Sequence, residues 1–126
     1  MKDDALSALA AGAVLIVDDE PDIRFLLRAT LELAGYAVIE ASHGEAALES
    51  VRASQPALVI TDRMMPRMDG SELIQRLRAD VGTAAIPIVM LTGTNGAQPG
   101  ADVVLAKPFE PEALIELVSR LIGGER

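Results

Sequence analysis

Short aliphatic runs alternate with helix-period segments along most of this chain, and that alternation constrains its fold more than any other feature. The runs are rich in Val, Ile and Leu, as strands covered on both faces are. Proline stands at the start of the first and last helical segments, where its missing N–H costs nothing. We predict strands near 13–17, 37–40, 57–61, 87–91 and 102–106, and helices near 21–34, 44–54, 70–79 and 111–122.

This order of elements predicts an α/β fold in which a parallel sheet lies between two layers of helices. For five strands with right-handed crossovers, the flavodoxin-like strand order 2-1-3-4-5 is the common solution. The chain has 126 residues, which suits one domain. We assign residues 1–12 to an N-terminal extension, 13–122 to the domain and 123–126 to a tail.

Composition and charge exclude several classes of function. The formal charge of −8 argues against non-specific nucleic-acid binding, which needs a basic surface. No apolar run is long enough to span a membrane, so we expect no membrane association. Asp3 and Asp4 stand where a secretion signal has basic residues, so we expect a cytoplasmic protein. The absence of cysteine removes disulfide frameworks and zinc–thiolate sites.

Polar residues follow four of the predicted strands at their carboxyl ends. Asp18 and Asp19 follow strand 1, Asp62 follows strand 3, Thr92 follows strand 4 and Lys107 follows strand 5. The strand order 2-1-3-4-5 sets these four strands side by side, so the residues converge on one crevice. Carboxylates about 4 Å apart repel by about 4 kcal/mol at an effective dielectric near 20. A hard divalent cation relieves that repulsion, and an all-oxygen site with room for water fits Mg²⁺.

A metal beside a carboxylate, a lysine and a hydroxyl predicts phosphoryl transfer. We expect Asp62 to be the nucleophile, as carboxylates are in aspartyl-phosphate chemistry. Lys107 and the metal would neutralise the phosphoryl oxygens, and Thr92 would donate a hydrogen bond to another of them.

Four motifs in this order, VLIVDDEP, VITDRMMPRMDG, IVMLTG and VLAKPF, resemble the receiver domain of two-component response regulators, which has the CheY-like fold. The resemblance covers roughly residues 13–122. It implies that Asp62 is the phosphoacceptor, that Asp18 and Asp19 are Mg²⁺ ligands, and that Thr92 and Lys107 contact the phosphoryl group. It also implies that Met64 gives a backbone carbonyl to the metal and that the bond from Lys107 to Pro108 is cis.

The resemblance further implies the partners and the output. Receivers take a phosphoryl group from a phosphohistidine of a histidine kinase or a histidine phosphotransferase, and they catalyse only their own phosphorylation and dephosphorylation. Because the chain ends soon after the last predicted helix, we expect no DNA-binding domain and no nucleic-acid partner. We expect the protein to signal through protein contacts.

The connection between strands 4 and 5 departs from the family. Residues 93–101 number nine and include three glycines and a proline, too short and too poor in helix formers for a crossover helix. We therefore predict that the family's fourth helix is absent or reduced to one turn. Alternate apolar residues nearby would then lose their cover and form a dimer or partner surface, unless Leu6 and Leu9 fold over them. The candidates are Ile86, Ile88, Met90, Val103 and Leu105.

Val104 is a second departure, because the family has Tyr or Phe there to report the movement of the threonine hydroxyl. A binding module that signals without phosphate therefore stays open. So does a magnesium-dependent aspartyl phosphohydrolase, although Met64 stands where such enzymes have their second aspartate. Asp18 and Asp19 taken alone could be a solvated helix start. Glu20 is either an outer ligand through water or a helix-start charge, and we take the only histidine, His43, as a surface or capping residue.

Overall fold

A computed structural model describes residues 12–93 and 97–123. Its five strands form one parallel sheet of order β2-β1-β3-β4-β5, which confirms the predicted fold class and topology. The strands are β1 (Val14–Val17), β2 (Val38–Ala41), β3 (Leu58–Asp62), β4 (Ile88–Thr92) and β5 (Val103–Ala106). The helices are α1 (Pro21–Leu33), α2 (Gly44–Ser54), α3 (Gly70–Ala79) and α4 (Pro111–Gly123).

Successive side chains of each strand enter two separate cores, one on each face of the sheet. Leu15 and Val59 belong to the core under α2 and α3. Ile16 and Ile60 belong to the core under α1 and α4. Every residue of β1, β3 and β4 is buried, which explains why these strands are almost continuously aliphatic.

The helix starts follow from local chemistry. The side chain of Asp69 accepts a hydrogen bond from the Glu72 N–H at 2.9 Å and caps α3. His43 caps α2 because its Nδ1 accepts a hydrogen bond from the Ala46 N–H at 3.2 Å, which confirms the predicted capping role. None of the helices in the described ranges is both long and apolar enough to cross a membrane.

The connection from β4 to β5 contains no helix in its described residues, 93 and 97–102, as predicted. Side chains of α3 fasten this connection instead. The Arg78 guanidinium donates hydrogen bonds to the Gly100 carbonyl at 2.8 Å and to the Asp102 carboxylate at 2.8 Å. Near the start of α3, the Ser71 hydroxyl donates to the Gln98 side chain at 2.7 Å. These hydrogen bonds hold the short connection against α3.

The predicted uncovered patch on β4 and β5 is largely wrong. Ile88 and Met90 are fully buried in the core shared with α2 and α3. Val103 and Leu105 are half-buried on the opposite face, where they pack on the core under α1 and α4. The strand alternation of two residues therefore leaves Val104 on the face that lacks the helix, where it packs with the half-buried Ile86 and Ala101 against the core under α2 and α3. Leu6 and Leu9 lie outside the described residues.

Candidate functional site

Three carboxylates meet at the carboxyl end of the sheet. Asp18 and Asp19 directly follow β1, and Asp62 is the last residue of β3, which pairs with β1 through Val17 and Thr61. One carboxylate oxygen of each lies within 4.8 Å of the others. Asp18 is 1% exposed and Asp62 is 8% exposed, so water solvates this concentration of charge poorly.

Asp18 has one carboxylate oxygen that the protein satisfies and one that it does not. Oδ1 accepts a hydrogen bond from the Glu20 N–H at 2.9 Å. Oδ2 is buried and has no hydrogen-bond partner among the described residues. Burial raises the pKa of Asp18 to about 6; the Glu20 N–H and Lys107 oppose the rise, whereas the charges of Asp62 and Asp19 add to it. A buried carboxylate oxygen that lacks a hydrogen-bond partner and lies beside two other carboxylates is a suitable ligand for a cation. The donor set therefore fits Mg²⁺.

Lys107 brings the positive charge of the site. Its Nζ lies 2.7 Å from Asp62 Oδ1. Burial lowers the pKa of Lys107, but the hydrogen bond and charge of Asp62, with the charges of Asp18 and Glu20, outweigh that effect and raise the pKa above its usual value. The Lys107 N–H donates to the Thr92 carbonyl at 2.8 Å, which ties the end of β5 to the end of β4. The Lys107–Pro108 peptide bond is cis, as the resemblance implied.

Thr92 and Met64 flank this group. Thr92 is the buried last residue of β4, and its neighbour Leu91 pairs with Asp62 across the sheet. Met64 lies two residues beyond Asp62 in the loop to α3, with a largely exposed side chain. The fold therefore gathers the carboxylates of Asp18, Asp19 and Asp62, pairs Lys107 with Asp62, and places Thr92 at the end of the next strand.

Gly70 is a site residue whose role the sequence did not reveal. In the sequence, Asp69-Gly70 predicts only a turn before a helix. In the structure, a Cβ on Gly70 would collide with the Asp62 carbonyl oxygen and would lie 3.1 Å from the Arg63 Cα. The Gly70 N–H also donates to the Arg63 carbonyl at 2.9 Å. Only glycine allows α3 to start this close to the backbone of Asp62.

Arg24 is the second residue that sequence reasoning missed. Its guanidinium donates to the Asp18 carbonyl at 2.8 Å and to Glu40 on β2 at 3.0 Å. The one available signal was Glu40 itself, a charged residue inside an otherwise apolar predicted strand. Glu20 occupies the N-cap position of α1 without a side-chain capping bond, and its N–H donates a hydrogen bond to the Asp18 carboxylate.

The sequence profile of the response regulator receiver domain matches residues 14–119, and the chain belongs to that family. A probable transcriptional regulator, ycf27 of Porphyra purpurea, is 43% identical over 108 residues, which are 80% of this chain and 43% of the relative. The DNA-binding dual master transcriptional regulator RpaA of Synechocystis sp. is 40% identical over 116 residues, 86% of this chain and 48% of the relative. The chain therefore spans about half the length of these curated relatives.

A solved structure agrees with the family assignment. The chemotaxis protein CheY4 of Vibrio cholerae superposes with a TM-score of 0.81 at 34% identity, over 87% of this chain and 98% of that one. Receiver domains bind Mg²⁺ through an acidic pocket, and Asp18, Asp19 and Asp62 form an acidic cluster in this chain. The relatives named as transcriptional regulators do not support our expectation that nucleic acid plays no part.

Proposed function

We propose that this chain accepts a phosphoryl group on Asp62 from a phosphohistidine of a histidine kinase or histidine phosphotransferase. The observation that carries the proposal is the position of the Asp62 carboxylate, which lies 2.7 Å from the Lys107 ammonium and within 4.8 Å of carboxylate oxygens of Asp18 and Asp19. This arrangement puts a nucleophile next to fixed positive charge and a cation seat. Residues 13–122 would form the receiver, in the cytoplasm.

The reaction follows from these groups. An oxygen of the Asp62 carboxylate attacks phosphorus while the donor's phosphorus–nitrogen bond breaks, and that electron pair stays on the imidazole nitrogen. The Lys107 ammonium, already paired with Asp62, follows the negative charge onto a phosphoryl oxygen, and the Thr92 hydroxyl donates to another. When Mg²⁺ is bound, Asp18, Asp19, Asp62 and the Met64 carbonyl would hold it, and it would neutralise phosphoryl charge. Attack of water on phosphorus later breaks the bond from phosphorus to the Asp62 oxygen, releases inorganic phosphate and restores the carboxylate. In this cycle the chain acts only on its own phosphoryl group.

An apolar groove beside the site supports a protein partner rather than a small-molecule substrate. Ile23 and Leu26 of α1 line it together with Phe109, which follows the cis proline, and Lys107 of the site is also part of its lining. Phe25, on the same helix, is 73% exposed. Exposed apolar surface next to a reactive carboxylate suits a partner that must bring its histidine to Asp62.

A homodimer and a phosphate-independent function are two further proposals, each supported by fewer observations than phosphoryl transfer to Asp62. A homodimer through the β4–β5 face would now rest on Val104, Ile86 and Ala101, and light scattering at increasing protein concentration tests it. The half-buried Val104 favours a phosphate-independent module as the second candidate function, because no aromatic ring is there to follow the threonine. Met64 in place of a second aspartate gives no support to a phosphohydrolase.

Intact-mass spectrometry after incubation with acetyl phosphate tests the proposal. The chain should gain one phosphoryl group with Mg²⁺, and none with EDTA. The Asp62→Asn variant should gain none, whereas Asp22→Asn, which removes an exposed carboxylate from α1, should behave as the wild type. An unmodified wild type, also with a phosphorylated kinase, would leave the phosphate-independent module as the better account.

A further inference from the structure

Arg24 joins the metal site to the edge of the sheet. From the first turns of α1, its Nη1 donates to the Asp18 carbonyl at 2.8 Å, and its Nε donates to Glu40 Oε1 at 3.0 Å. The Arg24 side chain is 19% exposed, so these bonds are only partly open to water. The guanidinium fork is suited to holding two acceptors at once in fixed directions.

Glu40 anchors Arg24. It belongs to β2 and pairs with Ile16 of β1, two residues before Asp18. Its other oxygen accepts a hydrogen bond from Arg28 Nη1 at 2.6 Å. The Arg28 hydrogen bond, together with that of Arg24, outweighs burial and lowers the pKa of Glu40, which therefore stays charged at neutral pH.

The result is that Asp18 is fixed at three of its four polar groups. Its N–H donates to the Ala41 carbonyl at 3.2 Å, its C=O accepts from Arg24, and its Oδ1 accepts from the Glu20 N–H. The fourth group, Oδ2, has no hydrogen-bond partner in the part of the chain that the structure describes. Arg24 contacts the carbonyl and not the carboxylate, so it restrains Asp18 without occupying the oxygen that a cation would use.

We propose that Arg24, anchored by Glu40, is a positioning residue for the Mg²⁺ site, an inference that rests on the proposed function. By holding the backbone of Asp18, it keeps the free carboxylate oxygen next to Asp19 and Asp62 before the cation arrives. Outer groups that orient metal ligands typically contribute 10–100-fold in affinity. The proposal thus assigns a binding role to a residue that touches neither cation nor phosphoryl group.

If Arg24 acts through its charge, its removal should raise the affinity for Mg²⁺, whereas if Arg24 acts by positioning Asp18, its removal should lower that affinity. A guanidinium near the site repels Mg²⁺, so removal of its charge alone would tighten Mg²⁺ binding. Loss of positioning weakens binding instead. Arg28→Gln is the matched control, because Arg28 carries the same charge one turn further along α1 and shares Glu40, while its other partner is Glu32.

Isothermal titration of each protein with MgCl₂ measures the effect directly. Arg24→Gln should bind Mg²⁺ about 10-fold more weakly than the wild type. Arg24→Lys, which keeps the charge but has no fork to bridge two acceptors, should also bind more weakly, and it provides a second variant should the first not fold. Arg28→Gln should stay within about 2-fold of the wild type or bind more tightly.

Phosphorylation by acetyl phosphate provides the second readout. Because Arg24 acts on metal affinity, the rate of Arg24→Gln should fall at low Mg²⁺ and recover at saturating Mg²⁺. Wild-type affinity in both Arg24 variants, or an equal loss in Arg28→Gln, would overturn the positioning role. A wild type that binds Mg²⁺ but takes no phosphoryl group would count against the proposed function and leave the result for Arg24 readable.

Discussion

The buried charge of Asp18 lowers the free energy of unfolding of the metal-free protein. We expect the substitution Asp18→Asn to relieve most of that destabilisation. The carboxyl group has a pKa of about 6 in the fold against an ordinary 3.8. A raised acid pKa means that the folded protein favours the protonated form. The free energy of unfolding is therefore highest below the ordinary pKa, and it falls as the pH rises through about 6.

The size of the effect follows from the shift. At pH 7 the charged Asp18 costs the metal-free fold about 3 kcal/mol, and at pH 4.5 only about 1 kcal/mol. The asparagine keeps the oxygen that accepts from the Glu20 N–H and places an amide among the neighbouring carboxylates. Since the amide retains part of the desolvation cost, we expect Asp18→Asn to be about 2 kcal/mol more stable than the wild type at pH 7.

Urea unfolding in EDTA, followed by circular dichroism because the chain has no tryptophan, measures this difference from pH 4.5 to pH 7.5. The gap should shrink as the pH falls. Saturating Mg²⁺ should stabilise the wild type and leave the variant nearly unchanged. Asp22→Asn, an exposed carboxylate in the first turn of α1, should change stability by about 0.5 kcal/mol or less. A variant no more stable than the wild type at pH 7, or a gap independent of pH, would refute the reasoning.

Two other substitutions test how the fold supports the site. Gly70→Ala should destabilise the protein by about 2 kcal/mol and slow phosphorylation, because the new methyl group collides with the Asp62 carbonyl. Gly82→Ala is the control, because the nearest contact of a Cβ there is 3.6 Å away. Equal melting temperatures of the two variants would contradict this prediction. Arg78→Met should lower the free energy of unfolding by about 3 kcal/mol, because the guanidinium satisfies the Gly100, Ala84 and Ile86 carbonyls. Arg76→Met removes an exposed ion pair with Glu72 and should lower the free energy of unfolding by under about 1 kcal/mol. A similar loss in both variants would argue against the role of Arg78 in holding the β4–β5 connection on α3.

Much of the fold and of the site could be predicted because the signals are local. The aliphatic runs and helix periods give the α/β class, and 2-1-3-4-5 is the common strand order for five strands with right-handed crossovers. Asp62 and Thr92 end their strands, and Asp18 and Lys107 directly follow theirs, so the meeting of these residues at one edge depends on topology alone. The missing helix was equally readable, from the length and composition of one connection.

The rest depends on which face a side chain takes and on contacts between distant segments. The β5 register sends Val103 to the α4 side and Val104 to the other, and a run of similar aliphatic residues does not reveal that choice. Arg24 and Glu40 are 16 positions apart and meet only because β2 lies beside β1. The role of Gly70 comes from a close backbone approach that leaves no pattern in the sequence.

Mapping of the phosphoryl group tests the central claim most directly. Cleavage after arginine gives the peptide ASQPALVITDR, residues 53–63, in which Asp62 is the only carboxylate side chain. Borohydride reduces an acyl phosphate to an alcohol, so treatment of the phosphorylated protein should convert Asp62 to homoserine in that peptide alone. Conversion in the peptide that carries Asp18 and Asp19, or none anywhere in a protein that has gained phosphoryl mass, would contradict Asp62 as the phosphoacceptor.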